Sequence, residues 1–207
     1  MNTDPQWLNW ARELQALSQI GLTFSKNCHE VKNFQRLAEI SAEMVQACTG
    51  FESSKLLESF SAQPGYATAK IDVRGAIIRQ GRILLVQERS DQRWSLPGGW
   101  ADVGEYPSAM VAREVLEESG FTVHPKKIIG IFDANREGRP LEFFHAYKVV
   151  FLCQIMSGEP KISNETQDVA FFDFNNLPEL SPNRTNIRHL REIQAHLSQP
   201  DRSAAFD

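Results

Sequence analysis

The sequence predicts an α/β protein in two parts: a small all-helical segment over residues 1–64, then a strand-containing domain over residues 65–207. Three observations carry this reading. Apolar residues recur at steps of three and four through roughly the first sixty positions, the spacing of a helix face. Pro64-Gly65, within the stretch Ser61 to Thr68, interrupts that spacing and marks a connector. From Lys70 onward, runs rich in Ile and Val bounded by turn residues mark strands, and helical spacing returns only in places. With 207 residues and 42% apolar content the chain can build one large or two modest packed cores.

In the first part, Trp7, Trp10, Leu14 and Leu17, with Ala11 beside them, define one amphipathic helix and predict its buried stripe. Core packing, rather than a platform for a nucleobase, accounts for the tryptophans, because helical spacing alone explains them. A second helix carries Phe34, Leu37, Ser41, Met44, Val45 and Cys48 and stops at Gly50; a short third one surrounds Leu56, Leu57 and Phe60. About 60 residues of helix bury little surface alone, so this part is expected to pack on the second domain or on another copy of itself.

In the second part, Ile71, Val73 and Ala76-Ile77-Ile78 read as a strand, Gln80-Gly81 as a tight turn and Ile83-Leu84-Leu85-Val86 as the returning partner. Trp94 to Gly99, with two adjacent glycines that let backbone approach a ligand closely, leads into the next helix. Further strands are predicted over Lys127–Phe132, Ala146–Cys153 and Val169–Phe174. Asn175 to Pro178 breaks the last of these, Ile187, Leu190, Ile193 and Leu197 mark a final helix, and Pro200 to Asp207 reads as a frayed tail.

The stretch from Gly99 to Phe121 holds the chemistry. Pro107 suits the start of a helix and Gly120 its end. Glu114, Glu117 and Glu118, spaced by three and four, share one face of that helix, and Ala109, Ala112 and Leu116 are predicted to form the buried one. Each pair of carboxylates about 5 Å apart costs roughly 3 kcal/mol at an effective dielectric near 20. Hard divalent cations such as Mg²⁺, which take oxygen ligands and pair with phosphates, give such a face a purpose.

The same stretch resembles, at every defined position, the Nudix box: Gly99, five residues, Glu105, seven residues, Arg113-Glu114-Val115, any residue, Glu117-Glu118, any residue, Gly120-Phe121. At ordinary residue usage a chance match at one start is on the order of 1 in 10⁹. The resemblance implies a hydrolase of pyrophosphates in nucleoside diphosphates linked to another moiety, on an α/β/α sandwich with a mixed β-sheet. The flanking segments Gly65 to Arg74 and Leu96 to Gly104, with the helical N-terminal region, resemble the bacterial subgroup with a "hydrolase of X-linked nucleoside diphosphate" N-terminal domain, which includes CDP-choline pyrophosphatase. That resemblance implies a homodimer and CDP-choline as the leading substrate, with ADP-ribose, sugar nucleotides and RNA ends as alternatives.

It also implies roles. Glu114, Glu117 and Glu118, with the carbonyl of Gly99, are the expected ligands of Mg²⁺ or Mn²⁺, and Glu105 and Arg113 the residues that orient them. In the family the general base is a box glutamate or an acidic residue from a distant loop; Glu165 leads here, with Asp168 and Glu142 behind it. Arg74, Arg89 and Lys148 are candidate phosphate contacts, and His145 and Phe144 candidates to line the nucleotide site.

A net charge of −4 gives no reason to expect general binding to nucleic acid or to anionic membranes. No apolar run approaches the length of a bilayer span, and the N-terminus lacks a basic segment followed by an apolar core, so a cytoplasmic protein is expected. Cys28, Cys48 and Cys153 lack metal-type spacing and are expected to be reduced and buried.

Overall fold

The computed structural model describes residues 5–134 and 143–206. The described residues divide into two compact units, one formed by residues 5–69 together with residues 143–145 and one by the remaining described residues from Lys70 onward.

The first unit contains α1 (Gln6–Phe24), α2 (Cys28–Thr49) and α3 (Ser53–Ser61). The Asn27 side chain caps α2 by accepting from the His29 amide at 2.9 Å, and Gly50 closes it in the left-handed conformation. Helices α1 and α2 meet through small residues. Ser18 Oγ donates to the Phe34 carbonyl and Ser41 Oγ to the Ala11 carbonyl, both at 2.7 Å. The Phe34 ring lies against Gly21, where any Cβ would overlap it. This close approach turns Leu8, Ala11, Gln15, Ser18 and Gly21 inward and overturns the predicted stripe: Trp10 is 53% and Leu17 50% exposed, while Trp7 and Leu14 are half-buried. Polar side chains that bond backbone carbonyls occupy the interface that apolar spacing assigned to large residues. Ala38, Ala42 and Phe60 form this unit's small core, on which Leu56, Leu57, Phe143 and Phe144 pack.

The second unit is built on a mixed sheet. Its strands are β1 (Lys70–Arg79), β2 (Arg82–Glu88), β3 (Trp94–Ser95), β4 (Phe121–Asp133), β5 (Ala146–Gly158), β6 (Thr166–Phe172) and β7 (Ala205–Phe206), in the order β3-β2-β1-β5-β4-β7 with β6 also paired to β2. Pairing is parallel for β1–β5 and β4–β7 and antiparallel elsewhere. Helix α4 (Pro107–Ser119) covers one face through Met110, Val111 and Val115, packed on Val73, Ile77, Leu84 and Val86. Helix α5 (Ile187–Ser198) covers the other through Leu190 and Ile193, packed among Ala76, Ile83, Leu85, Ile129 and Val150. The α/β/α sandwich is therefore present.

Helix α4 has the expected bounds but a different buried face. Ala109 is exposed, Ala112 half-buried and Leu116 45% exposed, whereas Met110, Val111, Val115, Glu118 and Ser119 are buried. The helix is rotated so that Glu118 lies inside, which hydrophobic spacing cannot anticipate. Strand β4 begins directly after Gly120 and so extends well before Lys127; Pro125 fits because the pairing with β5 is irregular around it. The tail is not frayed as predicted: Ala205–Phe206 pairs with Gly130 and Ile131 of β4, and Lys127 Nζ donates to the Pro200 carbonyl at 2.6 Å. Cys153 is buried, as expected, but Cys28 and Cys48 are exposed. No helix among the described residues is long and apolar enough to cross a membrane.

His196 of α5 is 1% exposed; neither ring nitrogen makes an aligned hydrogen bond among the described residues, although Nε2 lies 3.5 Å from Glu192 Oε1 and the Ile129 backbone is close. Burial and the nearby Lys127 and Arg202 hold its pKa below the ordinary value, against the opposing pull of Glu192. A depressed imidazole pKa means that the unfolded chain takes up the proton first as pH falls, so stability is lost below about pH 6.5. His196→Leu is expected to raise the unfolding midpoint by about 2–4 °C, from removal of a buried polar group whose hydrogen bonds are poorly met, worth about 1 kcal/mol. It should also flatten the loss of stability between pH 6.5 and 5; an unchanged acid limb in thermal melts excludes this role.

Candidate active site

Strand β1 supplies the frame. It pairs with β2 only at Ile78 and Arg79, beside the hairpin turn, and β2 then pairs with β6 instead. The β1 edge left open by this divergence is filled by the segment after β3. Gly75 N–H donates to the Pro97 carbonyl (2.8 Å), Val73 N–H to the Gly99 carbonyl (2.9 Å), and Ala101 N–H to the Ile71 carbonyl (2.8 Å). Gly98 passes so close that a Cβ there would overlap the Val73 carbonyl oxygen, and its φ of +143° lies where side chains are strained. At Gly99 a Cβ would stand 2.8 Å from a Glu114 carboxylate oxygen.

The box helix meets this segment through Glu118. Gly98 N–H donates to Glu118 Oε2 at 2.8 Å, and the Thr166 hydroxyl donates to the Glu118 carbonyl at 2.9 Å. Burial pushes the Glu118 carboxyl up to about 8; Arg74 and the Gly98 amide pull it down, while Glu88 and Glu114 push it further up. Glu114 is also raised, first by burial. Glu117 lies on the outer side with its side chain 56% exposed.

Arg113 is surrounded by four carboxylates, contacting Asp102 at 2.9 Å, Glu105 at 2.8 Å, Glu114 at 3.0 Å and Glu117 at 3.1 Å. Its hydrogen bonds hold the Glu105 carboxyl below the usual range. Glu105, Glu114 and Glu117 therefore share one guanidinium, while Glu118 is held by the Gly98 amide. Among the described residues no three His, Cys, Asp or Glu side chains already converge at metal-ligand spacing. The donor set nonetheless suits a hard cation: carboxylates of Glu114, Glu117 and Glu118, with the Gly99 carbonyl, whose second lone pair is left by a single amide donor.

The other predicted residues are distributed unevenly. Arg74 and Lys148 are not exposed cations offered to a substrate. Both are buried and compensate Asp72: Arg74 grips it at 2.7 and 3.1 Å and also donates to the Leu96 carbonyl at 3.1 Å, while Lys148 lies 3.0 Å from Asp72 and donates to the Arg184 carbonyl at 2.6 Å. Burial opposes the charge on Asp72, but the two cations outweigh it and hold the carboxyl below its usual range. Arg89 and Glu165 are exposed neighbours, joined by Arg89 N–H donating to the Glu165 carbonyl at 2.9 Å. Glu165 immediately precedes Thr166, which ties that turn to the end of α4. Asp168 is exposed and accepts from the Val169 amide. His145 and Phe144 belong to the helical unit, His145 exposed and Phe144 edge-on to Phe143. Glu142 lies outside the described residues.

Sequence reasoning missed Asp72, Glu88 and Asp102. A signal existed for the first two, since each is a carboxylate inside or ending an apolar strand, where an unpaired charge is costly and a partner is required.

Comparison with known proteins gives a NUDIX domain over residues 70–192 and a UDP-X-like, N-terminal oligomerisation domain over residues 5–60. A protein of Bacillus subtilis (strain 168), "Putative ADP-ribose pyrophosphatase YjhB", is 35% identical over 202 residues, 98% of this chain and 97% of its own length. A crystal structure of a UDP-X diphosphatase is 28% identical with a TM-score of 0.63, covering 97% of this chain and 98% of its own. An ADP-ribose pyrophosphatase from Streptococcus suis is 32% identical with a TM-score of 0.60, covering 68% of this chain and all of its own.

Asp72→Asn leaves Arg74 and Lys148 buried without their counter-charge. The expected cost is about 3–5 kcal/mol, read as a lower denaturant midpoint. A midpoint within experimental error of the native protein would show that the three charges are not coupled.

Proposed function

The chain belongs to the Nudix family and is a pyrophosphohydrolase; from that premise we propose that it hydrolyses the pyrophosphate bond of a nucleoside diphosphate linked to another moiety, with CDP-choline as substrate. The observation that carries this reading is the complete box held in place: Glu118 fixed by the Gly98 amide, with Glu114 and Glu117 on Arg113. ADP-ribose is the second reading, favoured by the names of the Bacillus and Streptococcus relatives. RNA ends and sugar nucleotides complete the set to be tested.

Water adds to one phosphorus, the bridging P–O bond breaks, and two phosphorylated products leave. A bound Mg²⁺ or Mn²⁺ would neutralise phosphoryl oxygens and acidify the attacking water. Glu118, Glu114 and Glu117, with the Gly99 carbonyl, are the residues that would hold it. Arg113 and Glu105 set the orientation of the outer glutamates. Glu165, exposed on the turn tied to α4 through Thr166, is the residue that takes the proton from water. The mutant Glu118→Gln is expected to lower turnover by about 10² or more while keeping the fold. A panel of CDP-choline, ADP-ribose, UDP-sugars and RNA ends, assayed by phosphate release after phosphatase treatment, tests both points. Turnover of ADP-ribose with CDP-choline inert replaces the first reading by the second, and a fully active Glu118→Gln removes the ligand role.

We infer that the chain's two domains divide within the connector at residues 64 and 65, ahead of the Ala69–Lys70 limit of the compact units, and that the helical part brings two copies together as a homodimer. Trp10, Leu17 and Phe24 are 53, 50 and 63% exposed and stand seven residues apart on α1, an apolar stripe fitted to a second helix. The family description of this part as an oligomerisation domain supports the same reading. Sedimentation at micromolar concentration should give the dimer mass, and Leu17→Glu the monomer; a native protein that sediments only as monomer refutes it.

A further inference from the structure

Glu88 is an acidic residue at the end of an internal strand, 3% exposed, and no role in the hydrolysis assigned above uses it. Burying a carboxylate there is costly without compensation. Two side chains hold it directly: Ser95 Oγ donates to its Oε1 at 2.6 Å, and Arg184 Nε lies 3.1 Å from the same oxygen. Arg184 is the unusual partner. Its side chain remains 34% exposed, its approach to Glu88 is an ion pair rather than an aligned hydrogen bond, and none of its side-chain N–H groups makes a hydrogen bond among the described residues.

The segment that carries Arg184 is fastened to the approach to the glycines. Trp94 N–H donates to the Glu179 carbonyl (2.9 Å), Ser181 N–H to the Trp94 carbonyl (2.7 Å), and Leu96 N–H to the Thr185 hydroxyl (2.8 Å). Ser181 Oγ donates to Asp91 at 2.8 Å. Lys148 Nζ fixes the Arg184 carbonyl at 2.6 Å. Glu88 stands opposite Thr166 in the β2–β6 pairing, and the Thr166 hydroxyl donates to the Glu118 carbonyl at 2.9 Å. Arg184 is thus ion-paired to Glu88 and anchored through its backbone, and Glu88 stands across the β2–β6 pairing from the threonine that bonds the box glutamate.

We propose that Arg184 is a substrate-binding residue whose two free terminal nitrogens grip a phosphoryl group of the pyrophosphate, with Glu88 and Ser95 as the residues that position it. The inference rests on the hydrolase reading and adds a cation to it, since Arg74 and Lys148 are buried against Asp72 and, of the candidate phosphate contacts, Arg89 alone is exposed. The planar guanidinium presents paired N–H donors, the geometry that matches two oxygens of a phosphate. An ammonium at the same position restores charge but not the paired contact.

The test compares the native protein with Arg184→Gln and Arg184→Lys in buffered Mg²⁺, by calorimetric titration with inorganic pyrophosphate and by steady-state kinetics on the substrate that the native protein turns over. The expected result for Arg184→Gln is about tenfold or more weaker pyrophosphate binding and a KM raised by a similar factor, with kcat changed far less. Arg184→Lys should fall between. Where Arg184→Gln does not fold because Glu88 is stranded, the double variant E88Q/R184Q removes that buried charge and is read in the same way. Pyrophosphate affinity and KM within twofold of native overturn the proposal, as does a native protein that does not bind pyrophosphate. A native protein that binds pyrophosphate but hydrolyses nothing in the panel defeats the hydrolase reading alone, and Arg184 is then judged on the affinity.

Discussion

The hydrogen bond from the Gly98 amide to the Glu118 carboxylate joins the two parts of the active site, and much of the surrounding structure exists to make it possible. Strand β1 must part from β2 for the Pro97–Ala101 segment to take its edge. The segment must then cross the Val73 carbonyl with no side chain at residue 98. Helix α4 must also rotate until Glu118 points inward rather than to solvent. Each condition costs something alone: an interrupted ladder, a strained φ and a buried carboxylate. They are met together because one amide-to-carboxylate bond satisfies a donor and an acceptor that would otherwise be buried unpaired.

Charge inside this corner is handled locally. Asp72, Glu88 and Glu118 are buried carboxylates, and Arg74, Lys148 and Arg184 are the cations beside them. Arg74 is central, because it grips Asp72 and the Leu96 carbonyl while both Glu118 and Glu88 reinforce its charge. Its role follows from burial. A guanidinium with three donors committed to Asp72 and a backbone carbonyl is a brace for the loop before Gly98.

The helix bounds, the acidic spacing and the main strands were legible because each depends on local signals: Pro107 at a start, Gly120 at an end, Val and Ile runs between turns. The burial of side chains was less legible. Leu116 is apolar and exposed, Glu118 is charged and inside, and Trp10 and Leu17 face outward while Ser18 and Ser41 are buried. In each case a long-range hydrogen bond or close backbone approach decided the outcome, namely Gly98 to Glu118, Ser18 to Phe34 and Ser41 to Ala11. Hydrophobic spacing carries no information about such partners. The same reason hid Glu88 and Arg184, which are 96 residues apart in the chain and meet only when the segment after β6 returns to β3.

The division of charge also says where cations belong. The buried carboxylates have as many basic partners as there are acids. On the outer side of α4, Asp102, Glu105, Glu114 and Glu117 share Arg113 alone. That side carries the excess negative charge, and Glu118 stands at the junction between the compensated interior and the uncompensated face. A substrate pyrophosphate would add negative charge to a region already rich in it, so its approach along the outer carboxylates alone is unfavourable. A cation held on that face would reverse the local sign, while a guanidinium on the Glu88 side would need no such reversal.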